Sequence, residues 1–158
     1  MKKSILTLAG CILICLSVGF VGSVFTEPAI NSWYAYLQKP SFNPPAWIFA
    51  PVWTLLYILM GIAAYLVIKK IKENRLAIAG IIIFAIHLII NVSWSIIFFG
   101  AKMIPLSFAD IIVLWLLIVC LIIVFWRIDK RASLLLWPYL AWVSFASLLN
   151  LSIMLLNR

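Results

Sequence analysis

The stretch "IAGIIIFAIHLIINV", residues 78–92, decides the fold. A strand of a membrane barrel alternates apolar and polar residues in segments of about ten. This stretch does not alternate: it is apolar on every side, with only His87 and Asn91 strongly polar. A helix apolar all round has to be buried all round. In lipid, a continuous helix also satisfies its own backbone hydrogen bonds. Extended outward, the run covers 76–99, enough for the roughly 20 residues that cross a bilayer. Four more runs of that kind cover 5–26, 46–68, 105–126 and 133–156. The chain has 158 residues, 67% hydrophobic, with a mean hydropathy of +1.23, against about half apolar for a soluble domain. The sequence therefore predicts an all-α integral membrane protein, a single domain over 1–158. Its fold is a five-transmembrane-helix bundle with a long capping loop between the first and second helices.

The net charge of +8 raises the question of nucleic acid, and its distribution answers it. Five spans put the N-terminus on the same side as the loops near 69–75 and 127–132. Lys2, Lys3, Lys69, Lys70, Lys72, Arg75, Arg127, Lys130 and Arg131 share that side, nine of the twelve basic residues. Lys39, Lys102 and Arg158 fall on the other. Basic loops mark the cytoplasmic face, so the N-terminus is expected inside and the first loop outside. The partners implied for the basic side are membrane lipids with anionic headgroups, with no nucleic acid. "LAGC" at Leu8–Cys11 resembles a lipoprotein processing site, but the chain stays apolar beyond it, and an uncleaved first helix is expected. Cys11, Cys15 and Cys120 lie within spans, show no metal spacing, and read as small apolar residues.

Between the first two runs stands "WYAYLQKPSFNPPAWIFAPVW", Trp33 to Trp53. It holds four prolines, three tryptophans and two tyrosines against a single charge. Proline fixes φ and removes a backbone donor, so such a segment can be ordered without regular secondary structure. Rigid loops of this length are often functional covers. The intramembrane polar residues collect beneath it. Asp110, Asn150 and Asn91 lie five, six and eight residues in from that end of their spans, roughly 8–12 Å deep. Trp53 and Trp94 share this depth. The expectation is a lidded, mostly apolar pocket with a few polar groups, the usual form of a small-molecule site. Trp126 and Trp137, near the basic end, read as interfacial belt residues.

Helical spacing sharpens this. His87, Asn91, Trp94 and Phe98 share one face of the third span, and Trp142, Phe145, Ala146, Leu149 and Asn150 one face of the fifth. Gly19 and Ser23 make a small-xxx-small pair on the first, permitting close helix contact. His87 reads as a neutral histidine bonded across helices rather than a haem ligand, since no haem motif accompanies it. Asp110 is expected to accept a hydrogen bond from a lid N–H or an indole N–H and so hold the lid down. No catalytic set of serine, histidine and acid, no close carboxylate pair and no Gly-rich phosphate loop is visible.

Four motifs in order then give a family resemblance over nearly the whole chain. They are "WYAYLQKPSFNPP" (Trp33–Pro45), "PVWTLLY" (Pro51–Tyr57), "NVSWSIIFFG" (Asn91–Gly100) and "PYLAWVSFASLLN" (Pro138–Asn150). The chain resembles the TspO/MBR family, the tryptophan-rich sensory proteins related to the mitochondrial translocator protein. The resemblance implies five helices, a frequent homodimer, and a pocket under the first loop. It implies binding of porphyrins such as protoporphyrin IX, of haem and of other hydrophobic small molecules, with no cofactor required and no metal site. Carried over, the ligand-binding residues are Ser23, Tyr34, Trp53, Asn91, Trp94, Trp142, Phe145 and Ala146. Trp53 and Trp142 are the candidate photochemical residues for a light-dependent degradation of porphyrin, and Trp33, Pro44 and Asp110 anchor the lid. Small residues at Ala77, Ala79 and Gly80 offer a thin helix end for the dimer.

Two departures stand out. Phe42 replaces a frequent tryptophan, and Leu151 replaces the tyrosine of the sterol motif found in animal members, which breaks that motif. The implied role is regulation of tetrapyrrole level from a bacterial cell membrane. A small transporter of the same ligands and a partner-binding scaffold are the competing classes.

Overall fold

The computed structural model describes residues 2–158, with side chains from Ser4 onward, so the Lys2 and Lys3 side chains of the charge argument lie outside the described range. Every regular element among these residues is helical. The helices are α1 (Lys2–Ile30), α2 (Trp33–Tyr36), α3 (Phe49–Ile68, entered through a 3₁₀ turn at Ala46–Ile48), α4 (Leu76–Ser95), α5 (Ile104–Trp126), α6 (Lys130–Leu134) and α7 (Trp137–Leu156). Five stretches are long and apolar enough to cross a membrane: Ser4–Ile30, Ala46–Ile68, Leu76–Gly100, Ile104–Trp126 and Lys130–Leu156. This is a multi-pass membrane protein built as a five-helix bundle.

Proline sets several of the starts. Pro105 and Pro138 occupy the first turns of α5 and α7, where a missing N–H costs nothing. Pro51 does the same for α3. Pro28 lies inside α1, and the helix nevertheless runs to Ile30, further than the sequence suggested. The capping segment differs correspondingly from the loop expected. Its beginning is the one-turn helix α2 and its end is the 3₁₀ turn, leaving only residues 37–45 without helix.

Packing follows chain order. α1 lies against α3 and α4, α4 against α5, and α5 against α7. Two glycines set the α1–α3 approach. A Cβ on Gly61 would sit 2.6 Å from the Ile12 Cα, and one on Gly19 would sit 2.4 Å from the Tyr57 ring. The close contact expected of Gly19 is therefore real, whereas Ser23 faces a cavity instead. Ala77 is fully buried and Gly80 lies under Ile128, Phe125 and Val124. Gly80 thus lets α4 approach the end of α5 within the chain, so of the three small residues expected at a dimer contact only Ala79 is exposed. At the basic end Asp129 caps α6, accepting from the Arg131 backbone N–H at 2.9 Å. Hydrogen bonds from the Arg131 side chain, 2.9 Å at the closer oxygen, hold its carboxyl below the usual carboxylate range.

Candidate functional site

Beneath the Trp33–Pro45 segment, a cavity of about 570 Å³ opens between α1, α3, α4 and α7, with Tyr34 and Ala46 also in its lining. That is the size of a typical small-molecule site, about 300–1,000 Å³. Each wall is one helical face. From α3 come Phe49, Ala50, Trp53, Thr54 and Tyr57, and from α7 Trp142, Ala146, Leu149, Asn150 and Ile153. α4 supplies Asn91, Trp94 and Ser95, and α1 the stripe from Leu16 to Ile30 that includes Ser23, Thr26 and Glu27.

Past Ser95, α4 continues as a π-helical turn, Ile96–Gly100, with the Ala101 N–H bonded to the Ile96 carbonyl at 2.7 Å. Such wide turns re-aim side chains and recur at functional sites. Here the turn stacks Phe98 on Trp94 (5.2 Å between ring centres) and sets Phe99 edge-on to both. Trp53 stacks on Tyr57 at 5.6 Å, and Phe49 meets Trp142 edge-on at 5.9 Å. The result is a slot with aromatic rings on three sides.

Of the eight candidate ligand residues, Ser23, Tyr34, Trp53, Asn91, Trp94, Trp142 and Ala146 line this cavity. Phe145 does not. It turns toward the capping segment, 6.2 Å from the Phe42 ring and 5.7 Å from Trp142. The sequence reading placed it with Trp142 and Ala146 because the stripe on α7 is broad, and Phe145 takes its edge.

The lid anchors divide. Trp33 packs edge-on to Phe98 at 5.6 Å. Pro44 offers its carbonyl to the neighbouring Asn43 side chain at 3.2 Å. Asp110 accepts from the Ser93 hydroxyl at 2.8 Å, joining α5 to α4 rather than to the lid, and its second oxygen has no partner. Asp110 lies inside its span, where the Ser93 hydroxyl is within reach of its short side chain. Two asparagines that the sequence did not single out hold the segment instead. Asn157 pairs reciprocally with the Gln38 backbone, donating to its carbonyl and accepting from its N–H, each at 2.9 Å. Asn43 accepts from the Tyr34 hydroxyl at 2.9 Å.

Behind the slot runs a buried polar chain. Tyr57 donates to Asn91 Oδ1 at 2.6 Å, Asn91 Nδ2 donates to the Tyr139 oxygen at 2.7 Å, and Tyr139 lies 2.8 Å from His87 Nε2. With Asn91 filling one acceptor site, the simplest arrangement has Tyr139 donating to a neutral His87. His87 does not line the cavity and pairs with Tyr139 on α7, so the imidazole is a cross-helix partner. The sequence missed Tyr57 and Phe49, although their spacing of four from Trp53 was the signal that could have found them.

Residues 11–156 match the TspO/MBR family. The chain is 49% identical to the tryptophan-rich protein TspO of Chlorobaculum tepidum, with 99% of each chain covered. It is 43% identical to the protein of the same name from Archaeoglobus fulgidus, with 98% of this chain and 99% of the relative covered. The human translocator protein is 36% identical over 83% of this chain and 78% of its own. With the four motifs now seen to build one aromatic cavity in a five-helix bundle, the chain belongs to the TspO/MBR family.

Proposed function

We propose that the cavity binds a flat tetrapyrrole such as protoporphyrin IX, and that the protein acts on the level of free tetrapyrrole by binding it and promoting its light-dependent degradation. The observation that carries this is the slot itself. Trp53, Trp94, Phe98 and Trp142 present ring faces and edges to one cavity, and aromatic faces stack on a macrocycle. Among the described residues the lining contains no histidine, cysteine or methionine, the commonest haem ligands, so the metal-free macrocycle suits the chemistry better than haem. Trp53, Trp94 and Trp142 are the indole rings in the wall, and Trp53 and Trp142 are the two given the photochemical role. Trp126 and Trp137 are about half exposed and away from it.

Purified protein titrated with protoporphyrin IX, in darkness and in light, tests the reading by visible absorption. Trp142→Phe retains a ring and should keep most binding while slowing bleaching, and Trp53→Phe should behave likewise. Trp142→Ala should weaken binding about tenfold or more, since about 1.4 kcal/mol is one factor of ten. Trp126→Phe and Trp137→Phe should alter neither property. Bleaching at an unchanged rate in both Trp53→Phe and Trp142→Phe would remove the photochemical part and leave binding alone.

The proposal includes the orientation, with the Trp33–Pro45 segment outside and the N-terminus cytoplasmic, and a homodimer in the membrane. A Ser41→Cys protein should react with an impermeant maleimide in intact cells. Reaction only after permeabilisation reverses the orientation. Mass measurement in mild detergent reports the dimer, and monomer at every concentration refutes it.

A further inference from the structure

Asn150 on α7 is 2% exposed and lines the cavity. Its Oδ1 accepts from Trp94 Nε1 at 3.1 Å and lies 3.3 Å from the Ser107 hydroxyl. An indole N–H can only donate, so it fixes the orientation of the amide: the oxygen faces Trp94 and the nitrogen faces away. That nitrogen, Nδ2, carries two protons and has no partner. Eight residues earlier on the same helix, roughly 12 Å along its axis, the Trp142 Nε1 proton is also buried in the wall without a partner.

The opposite walls have the reverse polarity. Ser23, Thr26 and Thr54 spend their hydroxyl protons on the carbonyls of Phe20, Gly22 and Ala50, leaving lone pairs toward the cavity. Glu27 adds a carboxylate to the same side. The α7 wall therefore carries unpartnered donors and the α1 and α3 walls carry acceptors.

We infer that Asn150 Nδ2 is a recognition site for a hydrogen-bond acceptor of the ligand, a carboxylate or carbonyl oxygen, and that the ligand sits with its acceptor edge on α7 and away from Glu27. This rests on the tetrapyrrole reading and sharpens it: the macrocycle supplies stacking, and its acidic substituent sets orientation and selectivity. A ligand oxygen that reaches Nδ2 supplies the partner that this buried donor lacks, and an all-alkyl ligand supplies none, so selectivity arises from that gain.

The test compares protoporphyrin IX, which carries two carboxylates, with etioporphyrin, whose substituents are all alkyl. The unmodified protein should bind protoporphyrin IX at least tenfold more tightly. In Asn150→Asp the Trp94 contact keeps its acceptor while the donor becomes an anion, so protoporphyrin IX should lose about tenfold or more and etioporphyrin less than about twofold. Asn150→Leu removes the donor without adding charge and should bring the two affinities together, which carries the test if the aspartate variant does not fold. Glu27→Gln should improve protoporphyrin IX binding modestly, by weakening repulsion, or leave it unchanged. Equal affinities in the unmodified protein, or a tenfold preference that survives Asn150→Leu, would overturn the assignment while leaving tetrapyrrole binding in place. Failure of both porphyrins to bind the unmodified protein would overturn the tetrapyrrole reading and this site with it.

Discussion

A Gly61→Ala protein is expected to melt about 2–12 °C below the unmodified one in the same detergent. The estimate combines about 1–3 kcal/mol for an overpacked core with about 2–4 °C per kcal/mol for a chain of this size. The reason is geometric. The added methyl would lie 2.6 Å from the Ile12 Cα, 2.9 Å from its N and 2.9 Å from its Cγ1. Two of those three atoms are backbone, and no rotamer change moves them. α1 and α3 must part, and the whole interface they share loosens with them. Gly10, on α1, has nothing within 4 Å of its Cβ position. Gly10→Ala should therefore be neutral or slightly stabilising, because alanine costs less backbone entropy in a helix by about 0.5–1 kcal/mol. Gly19→Ala is intermediate: its methyl meets the Tyr57 ring at 2.4 Å, a side chain that can swing, at the cost of the Tyr57–Asn91 bond. Thermal unfolding followed by circular dichroism gives the order. A Gly61→Ala protein as stable as Gly10→Ala would mean that the α1–α3 approach is looser than described.

The spans were legible in the sequence because hydrophobicity is a bulk property. A run such as residues 78–92 has one solvent that suits it, whatever its neighbours do. The pocket was legible through spacing. Asn91 and Trp94 on α4, and Trp142 and Ala146 on α7, recur at helical intervals and at one depth, so alignment of helices was enough to bring them together. Where three-dimensional direction mattered, spacing failed. Phe145 shares a stripe with Trp142 yet points to Phe42, because a stripe is wider than a cavity wall. Asp110 shares a depth with the site yet bonds Ser93, because a carboxylate on a short side chain takes the nearest donor. Asn157 could not have been found at all from sequence. Its pairing with Gln38 joins residues 119 apart, and no local pattern announces it. Nor did composition reveal that Ala77 was buried and that the space over Gly80 was already filled by Val124, Phe125 and Ile128.

Tyr139→Phe should destabilise the protein more than any other loss of a single oxygen. Tyr139 is 1% exposed, and its hydroxyl is the junction of the buried chain. It accepts from Asn91 Nδ2 at 2.7 Å and lies 2.8 Å from His87 Nε2. Its ring also supports Trp53 edge-on at 6.1 Å, a contact phenylalanine keeps. The substitution therefore isolates the oxygen. Without it, Asn91 Nδ2 and His87 Nε2 are both left bare. A buried polar group stripped of its partner costs about 1–3 kcal/mol, so the two together should cost about 2–6 kcal/mol. Water cannot easily repair the loss at His87, which is fully buried behind the cavity wall. The single variant alone could be explained by altered packing, and a double-mutant cycle separates the cases. His87→Leu on its own removes the imidazole and strands only the Tyr139 proton. Combined with Tyr139→Phe it leaves no bare nitrogen at that position, so the double variant should lose less than the sum of the two singles by about 1–2 kcal/mol, the coupling expected of groups in one hydrogen-bonded network. Strictly additive losses would show that His87 and Tyr139 are not partners, and the chain would then end at the Asn91–Tyr139 bond.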